Sequence, residues 1–381
     1  MPSSLPRIRL SSYYFVYFAI LGILIPYWPL YLQAGGHDAA QIGTIMAIIP
    51  ATKIVSPAFW GWLADRRGRS LRLIRWLGFL SWTLFSCLLW DRTRSGVLIS
   101  VMLGFSFCWN ATLPLFESLT LSHLGRITAA YSRIRLWGSV GFIASVWLVG
   151  QLLEAALALA RLPELIMGLL AVQWCISLVV PPAREIRHSE DNASLRGILR
   201  RSEVLVFFLA AVLLQVSHGP YYAFFSLYLE QLHYADTAIG LLWALGVMAE
   251  IAVFLYLHKL RRIMTLRTLF LGSLALGVVR WVILGWAAHR LGFLLIAQLL
   301  HAATFATAHA SAIEIVHRHF LGPHHAKGQA LYSSLCYGLG GSLGSYYSGQ
   351  LWDSLGPQWV FTLAAGISLA ALLAAFTKIR A

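Results

Sequence analysis

Apolar residues run in long, unalternating stretches separated by short polar clusters, and this pattern recurs twelve times along the chain. The stretches cover residues 11–33, 41–64, 73–90, 97–122, 134–154, 163–181, 204–230, 238–258, 268–288, 291–316, 328–351 and 358–377. Each is close to the ~20 residues that a helix needs to cross ~30 Å of hydrocarbon. Inside lipid, backbone polar groups must be satisfied within the protein. A helix does this on its own, and barrel strands would show alternation that is absent here. The pattern predicts an all-α membrane protein of twelve transmembrane helices.

Composition agrees. Of 381 residues, 59% are hydrophobic and only 12% charged, with a mean hydropathy of +0.70, whereas a soluble domain carries about 25% charged residues. The net charge of +14 would suggest a nucleic-acid partner in a soluble protein, but its distribution gives it another meaning. Arg92, Arg94, Arg161 and Arg290 fall on one side of the predicted spans, Lys53 and Arg280 lie within them, and the other 23 of 29 basic residues share the side of both termini. Basic residues are retained in the cytoplasm, so both ends are expected there and no polyanion is needed. Cys87, Cys108, Cys175 and Cys336 all fall in spans without a CxxC pair and read as small apolar fillers. The N-terminal "MPSSLPRIRL" leads into a run of full span length without a cleavage site, so a removed signal peptide is not expected.

Two six-span halves share one template. "LYLQAGGHDAAQIG" (30–43) and "LYLEQLHYADTAIG" (227–240) have identical ends at a constant offset of 197 residues. The halves are expected as 1–183 and 204–381, joined by a charged linker at 184–203. An even number of spans per half gives parallel repeats, an architecture that places a binding site near the membrane midplane. After the second span, "GWLADRRGRS" presents Gly61, Asp65, Arg66, Gly68 and Arg69 in the order G-x-x-x-D-R-x-G-R. This resembles the signature loop of the major facilitator superfamily, and implies that fold and a role in conformational change. Glycine permits a tight turn and close helix approach, while Asp65 can meet a helix N-terminus or a basic partner. The second-half counterpart, "LHKLRRIMTLR", keeps the bases without the Asp and glycines.

Several ionisable groups sit inside the apolar runs: Lys53, Glu117, Glu250, Arg280 and Glu314, with Arg135 at the head of the fifth span and His218, His301 and His309 nearby. Each isolated charge would cost about 2.5–3.5 kcal/mol on insertion scales, so pairing, neutralisation or water is required. Glu117 and Arg135, 18 residues apart across a short loop, are expected at similar depth as a bidentate pair. Glu250 is expected to pair with Arg280. Lys53 is then left without an acid, placed for an anionic solute, for Glu250 (its repeat equivalent) or for loss of its proton. Aromatic residues accompany these groups, among them Tyr27, Trp109 and Tyr221; "SHGPYYAFF" (217–225) should kink the seventh helix. Four histidines in "HRHFLGPHHAKG" match no standard metal spacing and read as a solvated loop.

"PYWPLYL", "SRIRLWGSVGF", "VMAEIAV", "GVVRWVI" and "QLLHAATF" together resemble the phenylpropionate permease family and, more distantly, the lactose permease group of oligosaccharide:proton symporters. That resemblance implies substrate contacts at Glu117 and Arg135, with Glu250, and proton coupling at Arg280 and His301, with His218 at a polar position of the seventh helix; for this chain the expected proton-coupling residues are Glu250, Arg280, His301 and His218. It is incomplete. A glutamate of the lactose group one turn beyond the histidine is Thr304 here, its seventh-helix aspartate is His218, and its eleventh-helix lysine falls near Gly340. These departures argue against lactose and for an aromatic carboxylate. The expected function is proton-coupled uptake of a small organic solute such as a 3-phenylpropionate-like compound, with a sugar or nucleoside symporter as the alternative. Expected substrate residues are Glu117, Arg135, Lys53, Tyr27, Trp109 and Tyr221. No metal or cofactor is expected, the proton gradient supplying the energy, and no GxxxxGK[ST], HExxH or GxSxG motif supports ATP drive or an enzyme. The setting implied is a bacterial inner membrane, with a monomer, lipid, solute and protons as the full cast.

Overall fold

A computed structural model describes residues 6–92, 94–125, 129–155, 157–183, 195–322 and 324–379. Among these residues there is no β-strand. Eleven helices are long and apolar enough to cross a membrane: α1 (Arg7–Ala34), α2 (Ala39–Arg66), α3 (Ser70–Leu89), α4 (Ser95–Leu124), α5 (Ala130–Ala155), α6 (Leu159–Val179), α7 (Ser202–Gln231), α8 (Asp236–Ile263), α9 (Leu266–Ala287), α10 (Leu291–His319) and, last in the chain, α12 (Pro357–Lys378). Between the last two lies α11, helical from His324 to Leu355, whose Gly, Ser and Tyr content keeps it below the apolarity of its neighbours. Large apolar side chains such as Leu241, Phe293 and Leu373 remain exposed, as expected where acyl chains are the solvent. Of the expected linker, residues 184–194 lie outside the described residues, and Arg196–Leu199 forms a short helix.

Contacts gather the described residues into two units, one within Met1–Asp38 and Val55–Ser189, the other within Ala39–Ile54 and Glu190–Ala381. In the first, α1 packs on α5 and α6, and α3 on α4 and α6. A core of Tyr13, Ile74, Leu77 and Phe116 forms among them. In the second, α12 packs on α7 and α9, and α8 on α10. The first part of α2 also belongs to this unit, because it lies along α11. There the backbones nearly touch: a Cβ on Gly43 would come within 2.6 Å of the Gly349 Cα. Only hydrogen fits on either side.

Several helices are interrupted, each for a local reason. α1 breaks at Ile25–Tyr27 around Pro26, and α7 at His218, just before Pro220, which cannot donate a backbone hydrogen bond. α2 breaks at Lys53–Val55, three residues beyond Pro50. α10 and α11 each contain a π-helical stretch, Ala302–Thr307 and Ser333–Gly340. Such bulges re-aim side chains and recur at functional sites.

The internal repeat is visible in the backbone. After α1, the Gly35, Gly36 and His37 amides donate to Tyr31, Gln33 and Leu32 carbonyls. After α7, the Leu232, His233 and Tyr234 amides donate to Tyr228, Glu230 and Leu229. Every one of these partners is displaced by 197 residues. Gly36 has φ +85° and His233 φ +60°, so the second half holds a histidine in a left-handed position that its counterpart fills with glycine.

Candidate functional site

In the first unit, α4 and α5 bring Glu117 and Arg135 together. Arg135 Nε donates to Glu117 Oε1 at 3.3 Å. The contact is single, not the bidentate fork expected, because the guanidinium turns its face to Phe18, 4.2 Å from the ring centroid, with Tyr14 at 5.6 Å. Both charged side chains stay about one-third exposed, at 32% and 33%. Tyr131, one turn before Arg135, is a near neighbour of Glu117 and Tyr14. The sequence reasoning missed Tyr14, Phe18 and Tyr131; the i, i+4 spacings of Tyr14 with Phe18 and of Tyr131 with Arg135 were the available signal.

Tyr27 and Trp109, expected near substrate, are instead packing residues of this unit. The Tyr27 hydroxyl donates to the Val146 carbonyl. Trp109 stacks on Tyr17 with centroids 4.2 Å apart, and its Nε1 donates to Gln173 Oε1 at 3.0 Å. Both are essentially inaccessible, so neither joins the Glu117–Arg135 pair here.

The second unit holds the denser cluster. Glu250 of α8 bonds His301 of α10, Oε1 to Nε2 at 2.8 Å. This corrects the expected Glu250–Arg280 pair. Arg280 of α9 sends Nε to the Ala297 carbonyl at 2.9 Å and Nη1 to Thr304 Oγ1 at 3.3 Å. Its guanidinium lies over the rings of Tyr221, at 4.2 Å, and Trp281, at 4.5 Å. The π-helical stretch beginning after His301 carries Thr304 to this guanidinium. Where the lactose group has a glutamate, the hydroxyl supplies a neutral acceptor. Arg280 is wholly buried, and its Nη2 has no partner among the described residues.

Around this core, Gln298 Nε2 donates to the Tyr221 hydroxyl at 3.1 Å and to the Leu242 carbonyl at 2.7 Å. Trp281 Nε1 donates to Ser217 Oγ at 3.2 Å. His218 contacts Leu214 O through Nδ1 at 2.8 Å, and its ring lies 6.2 Å from that of His301. Tyr221, Arg280, His301 and His218 therefore stand in one neighbourhood with Glu250. Gln298 and Thr304 were not singled out as site residues, since amides and hydroxyls in an apolar run carry no signal without their partners.

Lys53 lies at the α2 break, not on a regular helix, and makes no ion pair among the described residues. Glu314 joins Arg261 at 2.7 Å and Arg318 at 3.1 Å, tying α8 to α10 away from the buried cluster. His317 and His325 meet through Nδ1 atoms 3.2 Å apart, and no group of three metal-ligating side chains occurs among the described residues.

The signature loop departs from expectation in part. Gly68 is left-handed at φ +57°, with its amide on the Ala64 carbonyl, and ends the helix as a turn glycine should. A Cβ on Gly61 would meet nothing within 4 Å, so no close helix approach needs this glycine. Arg66 lies 4.5 Å over the Trp62 ring, and Arg69 precedes α3 without capping it. Asp65 makes no hydrogen bond or ion pair among the described residues.

Known proteins place this architecture. The chain is 29% identical over 356 residues, 92% of its length and 93% of the relative's, to the "Probable 3-phenylpropionic acid transporter" of Escherichia coli (strain K12). It is 28% identical to the maltose permease of Geobacillus stearothermophilus, across 92% of this chain and 89% of that one. A crystal structure of the nucleoside transporter NupG superposes with a TM-score of 0.88 at 17% identity, covering 98% of this chain and 100% of that chain, which speaks to fold alone. The profile of the MFS_1 like family matches residues 7–363. The chain thus belongs to the MFS_1 like family and is a multi-pass secondary transporter of the major facilitator type, not an enzyme.

Proposed function

We propose that this transporter takes up a small aromatic carboxylate, of the 3-phenylpropionate kind, together with a proton. The observation that carries the proposal is the buried Glu250–His301 contact beside Arg280. A carboxylate and an imidazole at 2.8 Å share a proton readily, and a neighbouring fixed cation penalises the doubly protonated state. Intramembrane ionisable groups of this kind mark ion and substrate paths. Arg135 or, alternatively, Lys53 provides the cation for the solute carboxylate; beside Arg135, Glu117 holds the guanidinium in position and the rings of Tyr14 and Phe18 offer aromatic faces. The similarity to the Escherichia coli relative over nearly the whole chain supports the same solute class. In this reading the protein is an inner-membrane monomer with both termini in the cytoplasm, and it uses no cofactor beyond the proton gradient.

The test is accumulation of labelled 3-phenylpropionate by proteoliposomes with an acidic exterior. Wild type should concentrate the solute, a protonophore should abolish that, and Glu250→Gln should leave only downhill flux. Protonophore-insensitive accumulation overturns the coupling. A second reading, a proton-coupled sugar or nucleoside symporter, draws on the Glu117–Arg135 pair, whose acceptor and donors suit hydroxyl-rich solutes, and on the similarity to maltose permease. Competition by maltose or a nucleoside, with none by phenylpropionate, would favour it.

A further inference from the structure

A small void lies within the second unit, and its polar wall comprises Gln215 and His218 of α7, Thr304 and His309 of α10, and Tyr332 and Tyr337 of α11. Three of its groups are already bonded to one another: Tyr337 Oη lies 2.7 Å from His309 Nδ1, and Tyr332 Oη lies 3.4 Å from the same atom. His218 is different. Its Nδ1 is 2.8 Å from the Leu214 carbonyl, which can only accept, so Nδ1 carries the hydrogen. That leaves Nε2 as an acceptor, wholly buried and without a partner among the described residues. A buried polar atom in that state costs about 1–3 kcal/mol. A polar-walled void with room for about one water is where such an atom finds its bond. The His301 ring lies 6.2 Å from that of His218, and its Nδ1 is also buried and without a partner among the described residues.

We propose that this void is a water site that extends the proton path beyond Glu250 and His301 to the His309–Tyr337 pair. The inference rests on the proton-coupled reading above. The transfers balance as follows. His301 accepts the Glu250 proton at Nε2 and gives up one from Nδ1 to His218 Nε2, a step in which the two rings, 6.2 Å apart by centroid and not bonded to each other at rest, turn to meet and His218 then turns back to the void. His218 passes that proton to the water, the water gives one to Tyr337 Oη, and the Tyr337 hydroxyl proton moves to His309 Nδ1 along the 2.7 Å contact. At the end Glu250 is a carboxylate, His309 an imidazolium, and every group between them is neutral. Arg280 stays outside the chain of transfers, and its bond to Thr304 holds one wall of the void.

Two measurements test this separately from the transport reading. In lipid nanodiscs with 15N-labelled histidine, magnetisation should pass between water and His218 Nε2 in wild type and vanish in Ala308→Leu, which fills the void. A dry His218 in wild type overturns the site whatever the solute proves to be. In proteoliposomes, His309→Gln and Tyr337→Phe should reduce proton-driven accumulation of labelled 3-phenylpropionate by at least about tenfold while equilibrium exchange of the same compound persists. Wild-type accumulation with both variants unimpaired refutes the relay and leaves the transport reading standing. Absence of proton-driven accumulation in wild type refutes both that reading and the relay built on it.

Discussion

Arg135 and Arg280 show how the same side chain can be held in two ways. Arg135 is one-third exposed, has a single carboxylate contact and rests on Phe18. A partly solvated pair contributes roughly 0–1 kcal/mol, and the ring contact adds about 0.5–1 kcal/mol. Arg280 has no exposure, and its removal would take one bond each from the Thr304 hydroxyl and the Ala297 carbonyl in the interior and leave its own buried volume unfilled. Arg280→Ala should therefore lower the thermal midpoint in detergent clearly more than Arg135→Ala, and equal shifts would show that Arg280 is hydrated. A second residue-scale expectation concerns His233. A left-handed backbone costs a non-glycine residue about 1–2 kcal/mol, and Gly36 occupies the equivalent position. His233→Gly should raise stability, and His233→Val should lower it, in the same assay. The Glu117–Arg135 contact was legible in the sequence because a short loop fixes the relative depth of two successive helices. Glu250 and His301 lie on helices that are not consecutive in the chain, so no spacing could have favoured His301 over Arg280 as the partner.

Among the elements, three interruptions coincide with candidate site residues. Lys53 sits in the gap of α2, His218 in the gap of α7, and Thr304 in the π-helical stretch of α10. Proline announces two of these places in the sequence, and the break in α7 was expected for that reason. The π-helical stretches have no such marker: they depend on which neighbour draws a carbonyl or hydroxyl out of register, and only the packed structure decides that. Packing along α2 and α11 gives a sharper expectation. Gly43→Val would drive a side chain into the Gly349 backbone, and overpacking of this kind costs about 1–3 kcal/mol. Gly366→Ala on α12 meets nothing within 4 Å and exchanges glycine for a better helix former, which is favourable by about 0.5–1 kcal/mol. Thermal unfolding of the two variants should move in opposite directions, and a neutral Gly43→Val would mean that α2 and α11 are not in contact in solution.

For the whole molecule, fold class was the most legible property, because lipid allows so few ways to bury a backbone. The span count followed from run length. Arg92, Arg94, Arg161 and Arg290 stood out as the sparse basic side. Orientation can be checked directly in a cysteine-free background. Arg290→Cys should react with a membrane-impermeant thiol reagent added to intact cells, and Arg262→Cys only after permeabilisation; the reverse pattern would invert the topology. The grouping of residues 39–54 with the second unit was not legible, since it arises from contact along α11 and not from chain order.

Where Gly43 meets Gly349, the surfaces in contact are main chain alone. No rotamer is frozen when they touch and none is released when they part, so little conformational entropy changes hands at that spot. Backbone meets backbone there through dispersion alone, and neither helix has to reorder a side chain to make the contact.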